Sequence, residues 1–99
     1  MAEKHYEKWV DESAEAAGWL VRKLSWQGRR AAPDKLYAKD GRVVFIEWKD
    51  AGEGPTTLQA RQHREMREAG MEVHCLDSPY AGAAVLQIPL KEKRRRRAL

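Results

Sequence analysis

A single cysteine, Cys75, in 99 residues excludes an intramolecular disulfide and a cysteine-rich zinc site. No run of about 18 apolar residues occurs, so no membrane-crossing helix is encoded. The opening residues, Met1-Ala2-Glu3-Lys4-His5, lack the apolar stretch of a secretory signal. These absences lead to the expectation of a soluble, intracellular protein. There is no internal repeat, and low complexity is confined to the last nine residues.

The formal net charge of +4 is unevenly placed. Residues 91–99, KEKRRRRAL, hold six Lys/Arg and one Glu, leaving 13 Lys/Arg against 14 Asp/Glu in residues 1–90. The basic character therefore belongs to a tail, and the body is nearly neutral. Like charges with little to bury predict disorder there, suited to salt-sensitive phosphate contact through Arg94, Arg95, Arg96 and Arg97. A solvated terminus with no role is the plainer alternative. With 42% hydrophobic residues and four Trp, residues 1–90 can form one core, near the low end of domain size.

Tyr6, Trp9, Val10, Ser13, Ala14 and Ala17 recur at helical spacing, which predicts a helix over residues 3–17 ended by Gly18. Residues 19–24 suit a strand. A basic loop, Gln27-Gly28-Arg29-Arg30, then runs into Ala31-Ala32-Pro33-Asp34. Residues 35–38 read as a short strand that turns at Asp40-Gly41, a strong hairpin signal. Residues 43–49 make the clearest strand, apolar on both faces until its end. Residues 50–55, with two Gly and one Pro, form a loop. Thr56 can cap a helix over residues 57–69 that Gly70 stops, and residues 72–76 form another strand. Residues 78–90 stay ambiguous between loop and short helix. The order is helix, three strands, helix, strand.

Glu47 and Lys49 lie two apart on the clearest strand and leave the same face, while Ile46 and Trp48 take the other. A strand that is apolar and then ends in Glu and Lys holds charges where burial is expensive. Pro33 restricts the backbone leading to Asp34, and the hairpin can fold the second strand beside the third. Asp34 and Glu47 can then meet at one edge of the sheet. Two carboxylates and an ammonium suit phosphodiester hydrolysis. Hard oxygen ligands take Mg²⁺ or Mn²⁺, the metal acidifies a bound water, and Lys49 offsets developing negative charge. Glu7, on the border of the first helix's apolar stripe, is a candidate third carboxylate. Each signal has a plain alternative: Glu-x-Lys arises by chance about once in such a chain. A same-face ion pair would satisfy it, and Pro-Asp commonly marks a turn.

Glu7, Gly18-Trp19-Leu20 with Lys23, Pro33-Asp34, the run from Gly41 to Lys49, Gln59, His63 and Gly70 together resemble the VRR-NUC domains of the PD-(D/E)xK nuclease superfamily. The resemblance spans Glu7 to about Asp77. It implies an α/β (α+β), restriction-endonuclease-like fold, a mixed sheet flanked by helices, over residues 1–90, with the basic tail at 91–99. It implies that Asp34 and Glu47 bind the metal with Glu7 nearby, that Lys49 is the catalytic lysine, and that Gln59 reaches the site or the DNA. Free-standing members of this length look like phage or prophage proteins, which would act in the cytoplasm of a bacterial host. They act as homodimers on branched DNA such as Holliday junctions. Ala31 departs from the pattern, since many relatives carry Gly two residues before the proline.

Other residues carry two readings. Thr56-x-x-Gln59 is a capping box, so Gln59 is a capping or a catalytic residue. His63, with Met66 on the same stripe, is a neighbour of the site or simple core. Lys23, Arg29, Arg30 and Lys35 are candidate phosphate contacts. Trp26 beside the basic loop could stack on bases, whereas Trp9, Trp19 and Trp48 occupy packing positions. His74 and Cys75 face opposite ways and do not share a metal. Residues 78–90 are the candidate segment for contact with, or exchange into, a dimer partner. The competing functions are a catalytically silent DNA-binding module and a non-specific nicking nuclease.

Overall fold

A computed structural model describes residues 3–92 of the chain. The elements follow in the order α1 (Glu3–Ala16), β1 (Leu20–Lys23), β2 (Lys35–Lys39), β3 (Arg42–Trp48), α2 (Thr57–Glu68), β4 (Glu72–Leu76) and α3 (Pro79–Leu86). The sheet runs β1-β2-β3-β4, antiparallel across the first two pairs and parallel between β3 and β4. The parallel pair requires a crossover, which α2 supplies. The expected mixed α+β architecture and element order hold, and α3 accounts for most of the ambiguous stretch.

Asp40 and Gly41, with φ of 48° and 83°, form the two-residue turn between β2 and β3. Positive φ at both positions is what a type I′ turn demands, and Asp-Gly supplies it at little steric cost. The turn sets the register at Lys39↔Arg42, Tyr37↔Val44 and Lys35↔Ile46. On one face of the sheet, Tyr37, Val44, Ile46 and Trp48 pack with Tyr6, Val10 and Ala14 of α1 and with Leu86 and Ile88. The opposite face carries Leu36, Phe45, Glu47, Val73 and Cys75, with α2 lying against β4.

Ser78 caps α3 by accepting from the Tyr80 amide at 3.1 Å, and Pro79 occupies the first turn. Gly82 lies directly on Trp48: a Cβ there would come within 2.4 Å of the indole Cη2. Only a glycine lets the helix approach the ring so closely. The chain then stays on its own core as far as Lys91, whose amide donates to Ser13 Oγ and whose carbonyl accepts from Trp9 Nε1, both at 2.8 Å. The packed body therefore includes the first residue assigned to the tail. Leu86 and Ile88 of this stretch are buried in the core.

Arg42 donates to Glu72 from Nε at 3.0 Å and from Nη2 at 2.6 Å, and His74 Nε2 lies 2.8 Å from the same carboxylate. Hydrogen bonding from Arg42 holds the Glu72 pKa down at about 2, against an ordinary 4.5. A carboxyl depressed on folding contributes stability above its unfolded pKa and loses it as pH falls toward the folded value. Urea-unfolding stability is expected to decline between about pH 4.5 and 2. The decline should be shallower in Glu72→Gln, and identical profiles for the two proteins would mean that the pair adds nothing.

Candidate active site

Asp34 directly precedes β2, and Glu47 directly follows Ile46 in β3. One step beyond the Lys35↔Ile46 pair, the antiparallel register therefore sets Asp34 against Glu47. Strand alternation gives the two residues the same face, that of Leu36 and Phe45. Asp34 is held in line by its carbonyl, which accepts from the Leu24 amide at 2.7 Å, and the Ala31-Ala32-Pro33 segment before it is buried. Lys49 continues the face of Glu47 and stays tied to the sheet edge through its amide, 2.8 Å from the Leu76 carbonyl. Asp34, Glu47 and Lys49 are all half-buried. Asp34 and Lys49 thus immediately flank the strand ends that carry Lys35 and Trp48, with Glu47 inside β3.

The helix α2 supplies the wall of this site. Its capping box is fully formed: Gln59 Oε1 accepts from the Thr56 amide at 3.0 Å, and Thr56 Oγ1 accepts from the Gln59 amide at 3.1 Å. Capping accounts for the Gln59 carbonyl oxygen. One turn on, His63 is 1% exposed, and its Nε2 lies 4.0 Å from Glu47 Oε1 without a hydrogen-bond partner. Burial, then the nearby charges of Arg67 and Lys49, lower the His63 pKa. Cys75 pairs with Glu47 across β3 and β4, and burial, then the Glu47 charge, push its thiol pKa up. The neighbour reading of His63 is therefore the one the geometry favours.

No family model matches the sequence. A solved structure described as a VRR_NUC domain has a TM-score of 0.77 to this fold and 36% identity, covering 86% of this chain and 94% of that one. A protein named "Putative nuclease p44", from Acyrthosiphon pisum secondary endosymbiont phage 1, is 36% identical over 77 residues, 77% of this chain and 83% of its own length. The chain belongs to the VRR-NUC nuclease family.

Several expectations for this VRR-NUC domain need correction. Among the described residues, no three His, Cys, Asp or Glu side chains gather closely enough to hold an ion. Glu7 lies 3.9 Å from Lys35 Nζ and within electrostatic reach of Asp11 and Asp34. Burial raises its pKa, Lys35 opposes that, and the charges of Asp11 and Asp34 add to it. Lys35 is not a phosphate contact. It is 8% exposed and its Nζ is 2.7 Å from Asp11 Oδ2, because its parity turns it under α1. Asp11 also accepts from the Tyr37 hydroxyl at 2.6 Å, which in turn accepts from Trp48 Nε1 at 3.1 Å. Sequence reasoning overlooked Asp11, although it stands one helical turn after Glu7.

The remaining basic residues divide by position. Lys23, Arg29 and Arg30 are exposed, with Lys23 pairing across to Lys35 at the Asp34 end of β2. Arg94, Arg95, Arg96 and Arg97 lie outside the described residues. Trp26 is not a stacking platform: its Nε1 donates to the Pro33 carbonyl and its ring packs 5.7 Å from Phe45. Both the donor and a face of the indole are used to fasten the loop that delivers Asp34. Ala31 is buried and is not among the positive-φ residues, so replacing a glycine there carries no backbone strain.

The burial of Lys35 gives a stability test. Lys35→Met removes the cation between two carboxylates and should cost about 3 kcal/mol in urea unfolding. Affinity for duplex DNA, measured on the folded fraction, should be unchanged. A loss of DNA affinity with unchanged stability would restore Lys35 as a phosphate contact.

Proposed function

We propose that this VRR-NUC protein is a divalent-metal-dependent DNA endonuclease, selective for branched DNA of the Holliday-junction kind and active as a homodimer. One observation carries the reading: the hairpin register ends at Lys35↔Ile46, and one further step leads from Asp34 to Glu47, with Lys49 two residues on from Glu47. Two hard carboxylates fit Mg²⁺ or Mn²⁺, ions that take one or two protein carboxylates and leave other positions to water and substrate phosphate. Asp34 and Glu47 would hold the ion. Bound there, it supplies Lewis acidity toward the phosphoryl group and acidity to water.

The chain's own residues do the rest. Lys49 places an ammonium where negative charge gathers on the phosphoryl oxygens as water adds to phosphorus and the bond to the leaving oxygen breaks. Lys23, Arg29 and Arg30 offer exposed cations beside Asp34 for flanking phosphates, and the basic tail extends that contact at a salt-dependent affinity. Asp34→Asn, Glu47→Gln and Lys49→Ala should each reduce cleavage of a labelled four-way junction in Mg²⁺ or Mn²⁺ by roughly 100-fold or more, with the fold retained. Full activity in Glu47→Gln would falsify the mechanism. Junction binding without product by the wild-type protein would leave the silent DNA-binding module, and equal cutting of junction and linear duplex would leave a non-specific nicking nuclease.

A single site cuts a single strand, and matched cuts in a junction call for a twofold-symmetric pair. Leu20 and Val43, 46% and 45% exposed, flank Ala38 on the sheet face away from α1, an apolar strip that supports pairing with a second copy. Light scattering at micromolar concentration should return a mass near twice 11.4 kDa. A monomer mass with and without DNA would remove the homodimer from the proposal.

A further inference from the structure

The buried imidazole of His63 has no part in the metal-and-lysine chemistry above, yet the fold goes to some length to place it. The capping box at Thr56 and Gln59 fixes the start of α2, and with it the angular phase of the helix. One turn later that phase sends His63 inward to 1% exposure. Arg67, a further turn on, is anchored by its Nε to the Val73 carbonyl at 2.9 Å, which holds the helix on β4. The Glu47↔Cys75 pairing brings the carboxylate beneath the ring. The result is an enclosed nitrogen with no hydrogen-bond partner, 4.0 Å from Glu47 Oε1. Core histidines are ordinarily satisfied, because an unpaired buried polar atom is costly. An orphaned nitrogen aimed at a carboxylate is explained if the contact closes in the working state.

We propose that His63 is a positioning residue for Glu47: its ring donates Nε2–H to Oε1 and limits rotation of the carboxylate that would hold the metal. The shift required is only about 1 Å, from 4.0 Å to ordinary hydrogen-bond length. Outer-shell partners of this kind orient ligands, and their loss typically weakens metal binding or activity by about 10–100-fold. The role rests on the metal-dependent reading above, and it touches no substrate atom.

The test compares Mn²⁺ binding by titration calorimetry in the wild-type chain and in His63→Leu, His63→Gln and Glu47→Gln. Unfolding is followed in the same proteins without metal. His63→Leu should fold, since it replaces an unsatisfied nitrogen with an apolar group of similar size, and it should bind Mn²⁺ about 10–100-fold more weakly. His63→Gln, which keeps a donor, should recover most of that affinity, a rescue that a merely packing role would not produce. If His63→Leu does not fold, the His63→Gln protein decides: Mn²⁺ affinity near wild type supports the role, and affinity as low as Glu47→Gln overturns it. Wild-type Mn²⁺ affinity in His63→Leu, with affinity lost in Glu47→Gln, overturns the His63 role alone. Absence of Mn²⁺ binding by the wild-type chain overturns the metal site, and this role with it.

Discussion

The register of one hairpin governs the rest of the molecule. Because Asp40 and Gly41 close β2 onto β3 with two residues and positive φ at both, the partner of every residue in either strand is settled. A slip by one residue would turn each side chain to the opposite face. Tyr37, Val44 and Ile46, now fully buried under α1, would then face away from it, and Asp34 would no longer oppose Glu47. The hydrophobic core and the candidate site are thus specified by the same turn. A packing requirement holds the backbone of the candidate site, and the charged residues need not secure it by attraction for one another.

The sheet also acts as a partition between two polar assemblies of opposite purpose. On the α1 face, Asp11, Lys35, Tyr37 and Trp48 form a chain of short contacts that satisfies every member. Burial and the neighbouring Asp11 raise the Tyr37 pKa, so the hydroxyl remains a donor at any ordinary pH. On the α2 face, His63 is enclosed beside the half-buried Glu47 and Cys75, and its Nε2 is unsatisfied. A fully satisfied network rigidifies the part of the core that it occupies. Lys35 and Lys49 show how parity alone separates these fates. Both are lysines at strand ends near a carboxylate, but one is turned under a helix and the other shares the face of Glu47.

Much of this was legible in the residues themselves. The hairpin, the apolar strand ending in Glu47 and Lys49, and the Thr56–Gln59 cap are local signals, each with its chemistry inside a few positions. What escaped was set by contacts distant in sequence. The α3 segment, Pro79-Tyr80-Ala81-Gly82-Ala83-Ala84-Val85-Leu86, is apolar around its circumference and holds a glycine at its middle, so it shows no helical period. Ser78 caps it, and its Gly82 lets it pack directly on Trp48. Lys35 looked like a surface cation because the acid that buries it, Asp11, sits 24 positions earlier on another element. Trp26 looked available for the same reason, since Pro33 and Phe45 meet it only once the loop has folded back.

The cap on α2 bears on how phosphate charge can be met. A helix start near a candidate phosphate site often contributes free backbone amides and the positive end of its dipole. Here the Thr56 and Gln59 amides already donate within the capping box. The β3–α2–β4 crossover places the helix beside the site but commits part of its N-terminus to its own closure. Under the proposed function, anion recognition would fall on side-chain cations such as Lys49 and the exposed Lys23, Arg29 and Arg30. Cations on flexible stems can follow a phosphate backbone of variable shape, whereas fixed amides read one position. A substrate whose backbone path departs from a straight duplex is the kind such an arrangement accommodates.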